Sequence, residues 1–268
     1  MHVAITGASS GIGEALAREW AKAGAKLTLV ARRKDLLEKL ALECGGDALV
    51  VTCDLADSAH ATAWIEAAEA KNGPIDVLVN NAGMQNVGAA VNSNPAVGVN
   101  VLHLNILTPL LLTREILPRM ISRRSGAIVQ IASIAALVAP PGQAWYGASK
   151  AGLAQFTETL RSELEGTGVH VCVVYPGPVK TAMGDAAYEK YGGRDGPAGR
   201  TPEGTPGVLA KLVRRAVESR KARVIYPRFY ALIYYLPWVA RFVAFRMSPR
   251  PTETSATGPA QGAARSSK

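Results

Sequence analysis

Short β-branched runs alternate with longer helical patterns along almost the whole chain, and most of the runs are apolar on both faces. "DVLVN" (76–80) and "VHVCVV" (169–174) show little of the apolar–polar alternation of a half-exposed strand. Runs of that kind are covered above and below, as in a parallel sheet. Strands are expected over 2–6, 26–31, 48–53, 75–80, 126–132, 169–175 and 222–226, and helices over 11–23, 34–44, 58–71, 98–121, 145–166 and 204–220. Strict alternation with right-handed crossovers gives an α/β fold: a doubly wound parallel sheet of about seven strands, of Rossmann type, with helices on both faces. Ligands bind such sheets beyond the carboxyl ends of the strands. The residues at those ends are the candidate site.

The first strand runs into Thr6-Gly7-Ala8-Ser9-Ser10-Gly11-Ile12-Gly13 and then a helix. Glycines there let the backbone turn tightly and approach a ligand closely. The helix start presents free N–H groups and the positive dipole end, which suits a pyrophosphate. The second strand ends at Ala31 and is followed by Arg32 and Arg33. An NAD site would place a carboxylate at this tip, whereas two guanidiniums favour a 2′-phosphate, so NADP(H) is the expected cofactor. The competing reading is a pair of solvated arginines at a helix start, where the dipole disfavours cations. Asp54-Leu55 and Asn80-Asn81-Ala82-Gly83 end the third and fourth strands, where adenine and ribose would lie.

"TGASSGIG", "NNAG", "IAS" followed by "YGASK", and "YPGPVKT" together resemble the short-chain dehydrogenases/reductases, in their compact single-domain branch. The resemblance covers about residues 1–225. It implies a catalytic group of Asn105, Ser133, Tyr146 and Lys150. Lys150 would also hold the nicotinamide ribose, and Asn105 would complete a proton relay. Pro176 and Gly177 would pass beside the nicotinamide, with Val179 and Thr181 at its carboxamide. The residues support this independently. Tyr146 and Lys150 stand four apart on one helix face. An ammonium beside a phenol in a partly desolvated cleft favours tyrosinate and should bring its pKa down toward working pH. Ser133 would be a second donor to the substrate oxygen. Taken singly, Asn105 as a helix-bend residue, Ser133 as a cap and the Tyr/Lys pair as a surface coincidence are structural alternatives.

The expected wall after Ser133, Ile134-Ala135-Ala136-Leu137-Val138-Ala139, has no charged group, and Met84 and Val87 follow the fourth strand. An apolar carbonyl or alcohol is therefore expected, of lipid, steroid or ketone type. Residues 184–207 are rich in Gly and Pro and read as a mobile excursion, where the family carries a lid.

Charge is uneven. Residues 1–210 hold 18 Lys and Arg against 19 Asp and Glu, whereas 211–268 hold 12 against 2. The segment 226–247 carries eight of the sixteen aromatic residues, and its apolar stretch 229–240 is bounded by Arg228 and Arg241. Three readings stay open: packing on the pocket mouth, a sister-subunit contact, or peripheral docking on an anionic membrane. No nucleic-acid-reading module is present. Residues 248–268 lack aromatic and large aliphatic side chains and read as a disordered tail. The domain reading is 1–225 for nucleotide binding and catalysis, then 226–247, then the tail.

Cys44, Cys53 and Cys172 have neither metal-site nor disulfide spacing and read as reduced thiols. A strand begins right after Met1, and no uninterrupted apolar run reaches the roughly 18 residues of a spanning helix. The expectation is a cytoplasmic enzyme, with peripheral placement at the inner membrane face as the open alternative, forming a homodimer or homotetramer as the resemblance implies. The alternative is a catalytically idle dinucleotide- or lipid-binding protein.

Overall fold

The computed structural model describes residues 1–195, 199, 201–236, 238, 241, 242, 246, 248, 250 and 251. Seven strands form one sheet: β1 His2–Thr6, β2 Lys26–Ala31, β3 Leu49–Thr52, β4 Val77–Asn80, β5 Gly126–Ile131, β6 Val169–Pro176 and β7 Arg223–Tyr226. Their order is 3-2-1-4-5-6-7, and every pairing is parallel. The helices are α1 Gly11–Lys22, α2 Lys34–Glu43, α3 Trp64–Asn72, α4 Pro95–Leu102, α5 Thr108–Ser122, α6 Ala144–Glu163, α7 Ala182–Lys190, α8 Pro206–Glu218 and the short α9 Ala231–Tyr235.

Successive strand residues point to opposite faces, and both faces are filled. On one, Val3 and Ile5 pack with Leu16 and Trp20 of α1, Leu37 of α2 and Leu209 of α8. On the other, Ala4 and Leu78 pack with Ile65 of α3, Leu112, Ile116 and Met120 of α5 and Leu160 of α6. Leu112 and Ile116 are wholly buried, so truncating either to Ala should cost about 2–5 kcal/mol. From β1 the chain moves outward to β2 and β3, and from β4 it moves the opposite way. Helices after β1 and β4 therefore leave on opposite faces, which opens a crevice at the carboxyl edge between them.

The structure departs from the expected elements in three places. Helix α3 begins at Trp64 and not at 58, because the Asp57 carboxylate accepts from Ala59 N at 3.1 Å and bonds His60 Nδ1 at 2.8 Å. Such local bonds hold a turn in place of a helix. The helix expected over 98–121 runs from Pro95 to Ser122, with a π-turn at His103–Leu107 between α4 and α5. Among the described residues this 28-residue stretch is long and apolar enough to cross a membrane by length and composition. Its Leu112, Ile116 and Met120 are nevertheless wholly buried on the sheet, as in a core helix.

The excursion expected over 184–207 is a further correction. Residues 182–190 form α7, capped by Thr181 Oγ1, which accepts from Gly184 N at 3.1 Å. A capped helix with two buried tyrosines, Tyr188 within it and Tyr191 just beyond its end, replaces an irregular loop there. The tail expected over 248–268 lies outside the described residues from 252 onward.

Candidate active site

A cavity of about 980 Å³ opens at the carboxyl edge of the sheet. Its inner end is made by the β1–α1 turn. Gly7 and Gly11 adopt φ of +65° and +60°, left-handed conformations that favour glycine. Gly13 is buried beneath the turn, where an added β-carbon would lie 2.2 Å from Gly7 O. The turn is tied across the sheet. Thr6 Oγ1 accepts from Asn81 N and Ala82 N at 3.0 Å each. Asn81 Nδ2 donates to Thr6 O at 3.0 Å and Gly7 O at 3.2 Å. These four bonds fix the ends of β1 and β4 against each other.

Ser9, Ser10, Gly11 and Ile12 border the cavity with Gly7, and Arg32, Arg33, Asp54, Leu55, Asn81, Ala82 and Gly83 line the adjoining wall. Arg33 reaches over the turn, with Nη2 donating to Ser9 Oγ at 2.9 Å and Ser10 Oγ at 2.8 Å. Its neighbour Arg32 is exposed. A backbone cradle closed to any β-carbon at Gly13 and topped by guanidiniums fits the phosphates of a dinucleotide.

Ser133, at the tip of β5, caps the turn Ile134–Ala136 by accepting from Ala135 N at 3.1 Å. Tyr146, in the first turn of α6, has its phenol beside the Ser133 hydroxyl. Lys150, one turn on, donates to Ile131 O at 2.8 Å. Its Nζ lies 6.0 Å from the Tyr146 ring centroid. All three border the cavity. Burial pushes the Lys150 ammonium down to about 8.

The expected depression of the Tyr146 phenol is not what the structure gives. Burial raises it, and the Ser133 hydroxyl offsets this only in part. Desolvation wins because the tyrosinate would lose its hydration, and the ammonium is committed to a backbone carbonyl. At neutral pH the phenol holds its proton.

Asn105 sits on the π-turn, wholly buried behind the cavity wall. Its Oδ1 accepts from Met84 N at 2.8 Å, and its Nδ2 donates to Met84 O at 2.8 Å and Ser149 Oγ at 3.0 Å. The extra backbone residue of a π-turn rotates this side chain inward. A β-carbon added at Gly83 would lie 3.1 Å from Asn105 Oδ1 and 3.5 Å from Lys150 Nζ. The glycine lets the loop after β4 pass between them. Pro176, Gly177, Val179 and Thr181 form the far wall. Thr181 covers the turn, since a β-carbon at Gly11 would meet its Cγ2 at 3.2 Å. Of the residues chosen for catalysis or cofactor binding, Gly13 and Asn105 stay off the cavity surface, and of the expected apolar wall Ala136, Leu137, Ala139 and Val87 do too.

Residues 1–192 match the family model described as short chain dehydrogenase. The chain belongs to the short-chain dehydrogenase family. This short-chain dehydrogenase is 36% identical over 262 residues to dehydrogenase/reductase SDR family member 7B of Bos taurus, covering 91% of this chain and 79% of that protein. It is 39% identical over 185 residues to a short chain dehydrogenase of Pseudocercospora fijiensis, covering 67% of this chain and 60% of that longer protein. Among solved structures, an actinorhodin polyketide ketoreductase with NADPH superposes with a TM-score of 0.78 at 30% identity, over 84% of this chain and 95% of that one.

Sequence reasoning had packing on the pocket mouth as one open reading of 226–247, and Tyr230 and Ile233 do line the cavity; what it missed is the side built by Gln143, Tyr188 and Tyr191. Tyr188 of α7, Tyr191 just beyond its end, Gln143, Tyr230 and Ile233 all line the cavity of this short-chain dehydrogenase. Tyr191 donates to Pro141 O at 2.6 Å and accepts from Gln143 Nε2 at 3.1 Å. Tyr230 donates to Pro202 O at 3.2 Å and packs its ring on Gly177, where a β-carbon would be 2.8 Å away. The i, i+3 tyrosines in "AYEKYGG" were the available signal. Ser149, which links Asn105 to the Tyr146 carbonyl at 2.7 Å, was hidden inside a recognised motif.

Proposed function

We propose that this oxidoreductase transfers hydride between NADP(H) and an apolar carbonyl or alcohol, with Tyr146 exchanging the proton at the substrate oxygen. NADPH, when bound, supplies the hydride. The β1–α1 turn, through the backbone of Gly7 to Gly13 and the hydroxyls of Ser9 and Ser10, binds the pyrophosphate. Arg32 and Arg33 hold the 2′-phosphate. Asp54, Leu55 and Asn81 to Gly83 line the adenine and ribose side, Lys150 holds the second ribose, and Pro176, Gly177, Val179 and Thr181 border the carboxamide. Ser133 and Tyr146 both donate to the substrate oxygen, and Asn105 serves a proton relay from behind.

The observation that carries this reading is that Ser133, Tyr146 and Lys150 together border a cavity whose charges all lie on the nucleotide side. Arg32, Arg33, Asp54 and Lys150 are the only charged residues among its described lining. The substrate half is built of Ile134, Val138, Met183, Tyr188 and Ile233, which suits an apolar ligand oriented by two hydroxyls. A phenol that holds its proton at neutral pH can serve as the general acid of carbonyl reduction. The NADPH in the related ketoreductase agrees with that direction. A homodimer or homotetramer accompanies this reading.

The test is NADPH and NADH consumption over short aldehydes, steroids and long-chain ketones. Turnover should rise with substrate apolarity and favour NADPH. Comparable kcat/KM with NADH would sink the arginine assignment, and no turnover on any carbonyl would favour a binding protein.

A further inference from the structure

The chain after β7 does two things at once. Phe229, Leu232 and Leu236 line the cavity, yet they are 70%, 63% and 40% exposed. Residues that meet both conditions form the rim of the mouth. Outward from them, Tyr235, Trp238 and Phe242 are more than half exposed. Of the fourteen exposed large apolar residues described, six fall within 229–242. That clustering exceeds the single scattered residues normal on a surface and marks a contact site.

Cations flank these rim residues along the chain. Arg228, Arg241, Arg246 and Arg250 are exposed, and none forms an ion pair among the described residues. Arg241 Nε donates to Leu137 O at 3.2 Å, and the Arg246 guanidinium lies 5.4 Å from the Phe242 ring centroid. No Asp or Glu occurs between Glu218 and Glu253. We infer that the cavity mouth docks on an anionic lipid bilayer, with Phe229, Leu232, Leu236, Trp238 and Phe242 in the interface and the arginines on headgroup phosphates.

Two other covers fit less well. A second copy placed on this surface about a two-fold axis would bring arginine against arginine with no carboxylate between them. The chain's own end, 249–268, has no aromatic or large aliphatic residue with which to cover an apolar rim. An anionic bilayer satisfies both halves of the surface: aromatic side chains favour the headgroup–acyl boundary, and arginines gain attraction to the charged leaflet. The rim is continuous with the cavity, so a lipid-dissolved ketone could pass from bilayer to Tyr146 without crossing water. That route rests on the proposed oxidoreductase reading, whereas the docking itself does not.

The experiment is flotation of the full-length protein with vesicles of phosphatidylcholine alone or mixed with phosphatidylglycerol, beside turnover of a short soluble aldehyde. Wild type should float with the anionic vesicles at low salt, stay behind with the neutral ones, and be released by high salt. The double variant Arg228→Gln/Arg246→Gln should lose about 25-fold in partitioning, at roughly fivefold per charge. Trp238→Ser/Phe242→Ser should lose at least about tenfold. Neither pair lines the cavity, so both should turn over the soluble aldehyde at the wild-type rate, which shows that they fold. Failure to float, or equal flotation on both vesicles, overturns the docking and leaves the oxidoreductase reading standing. Sedimentation of free protein that shifts to a smaller species in Trp238→Ser/Phe242→Ser also overturns it, by giving the surface to a second copy.

Discussion

The inner end of the cavity and its mouth are made of different materials. At the inner end the ligand-facing groups are backbone amides, small hydroxyls and two guanidiniums. They are held by the Thr6 and Asn81 bonds between β1 and β4 and by a glycine with no room for a methyl group. At the mouth they are tyrosines, leucines and a phenylalanine on short elements. These are joined by one or two bonds each, Tyr191 to Pro141 O and Gln143 Nε2 and Tyr230 to Pro202 O. A charged ligand needs dipoles fixed before it arrives, because turning them costs the energy they would return. An apolar ligand needs only excluded water and enclosing surface, which mobile or replaceable side chains can provide. The contrast predicts severe effects of small changes at the inner end and mild ones at the mouth.

The largest effect tests the junction between the two. Tyr146→Phe should lower kcat by about 10²–10⁴-fold while thermal unfolding and NADPH binding stay near wild type. Full activity in this variant would break the comparison at its centre. Gly13→Ala comes next. A β-carbon 2.2 Å from a backbone oxygen must move the turn, at about 1–3 kcal/mol in stability. NADPH affinity measured by fluorescence titration should fall in step.

Lys150 sharpens the same end through pH. Its pKa falls from 10.5 when unfolded to about 8 when buried. Between those values the unfolded chain holds a proton that the native chain has shed, so stability should rise as pH increases from about 8 toward 10.5. The buried Cys172 thiol, raised from 9.0 to about 12, acts in the opposite sense over the same range, so the Lys150 contribution is read as a difference: the urea midpoint of wild type relative to Lys150→Met should rise from about pH 8 toward 10.5, and Lys150→Met should also lose turnover.

Arg33→Ala should reduce the NADPH-over-NADH ratio of kcat/KM by about 10-fold, as expected for one charge-assisted bond. The smallest effect belongs to the mouth. Tyr191→Phe removes the bonds to Pro141 O and Gln143 Nε2 and should raise KM by about 10-fold or less with little change in kcat, a net hydrogen bond being worth about 1 kcal/mol. A tenfold loss in kcat there would mean that the mouth is as preorganised as the inner end.

The inner end was also the legible end. Gly7, Gly11 and Gly13 announce their function because only glycine tolerates those conformations and contacts, so the residue type carries the geometry. Ser133, Tyr146 and Lys150 were legible because a strand tip and one helical turn fix their relations locally. The mouth was less so. Tyr188, Tyr191 and Tyr230 come from segments far apart in sequence, and nothing in "AYEKYGG" states that Pro141 or Gln143 will face it. The Gly and Pro content of 184–207 also hid a helix whose start is secured by one threonine cap, Thr181.

The sequence alone settled the parallel sheet, the edge that bears the cavity and the one-turn spacing of Tyr146 and Lys150, because each depends on periodicity or on residues within a turn of one another. Tertiary structure decided the rest: that the rim residues Phe229, Leu232 and Leu236 belong to both cavity and surface, that Asn105 bonds Met84 from behind the wall, and that burial leaves the Tyr146 phenol protonated. Desolvation depends on every atom around a group, and a list of residues fixes the neighbours in the chain without fixing the neighbours in space.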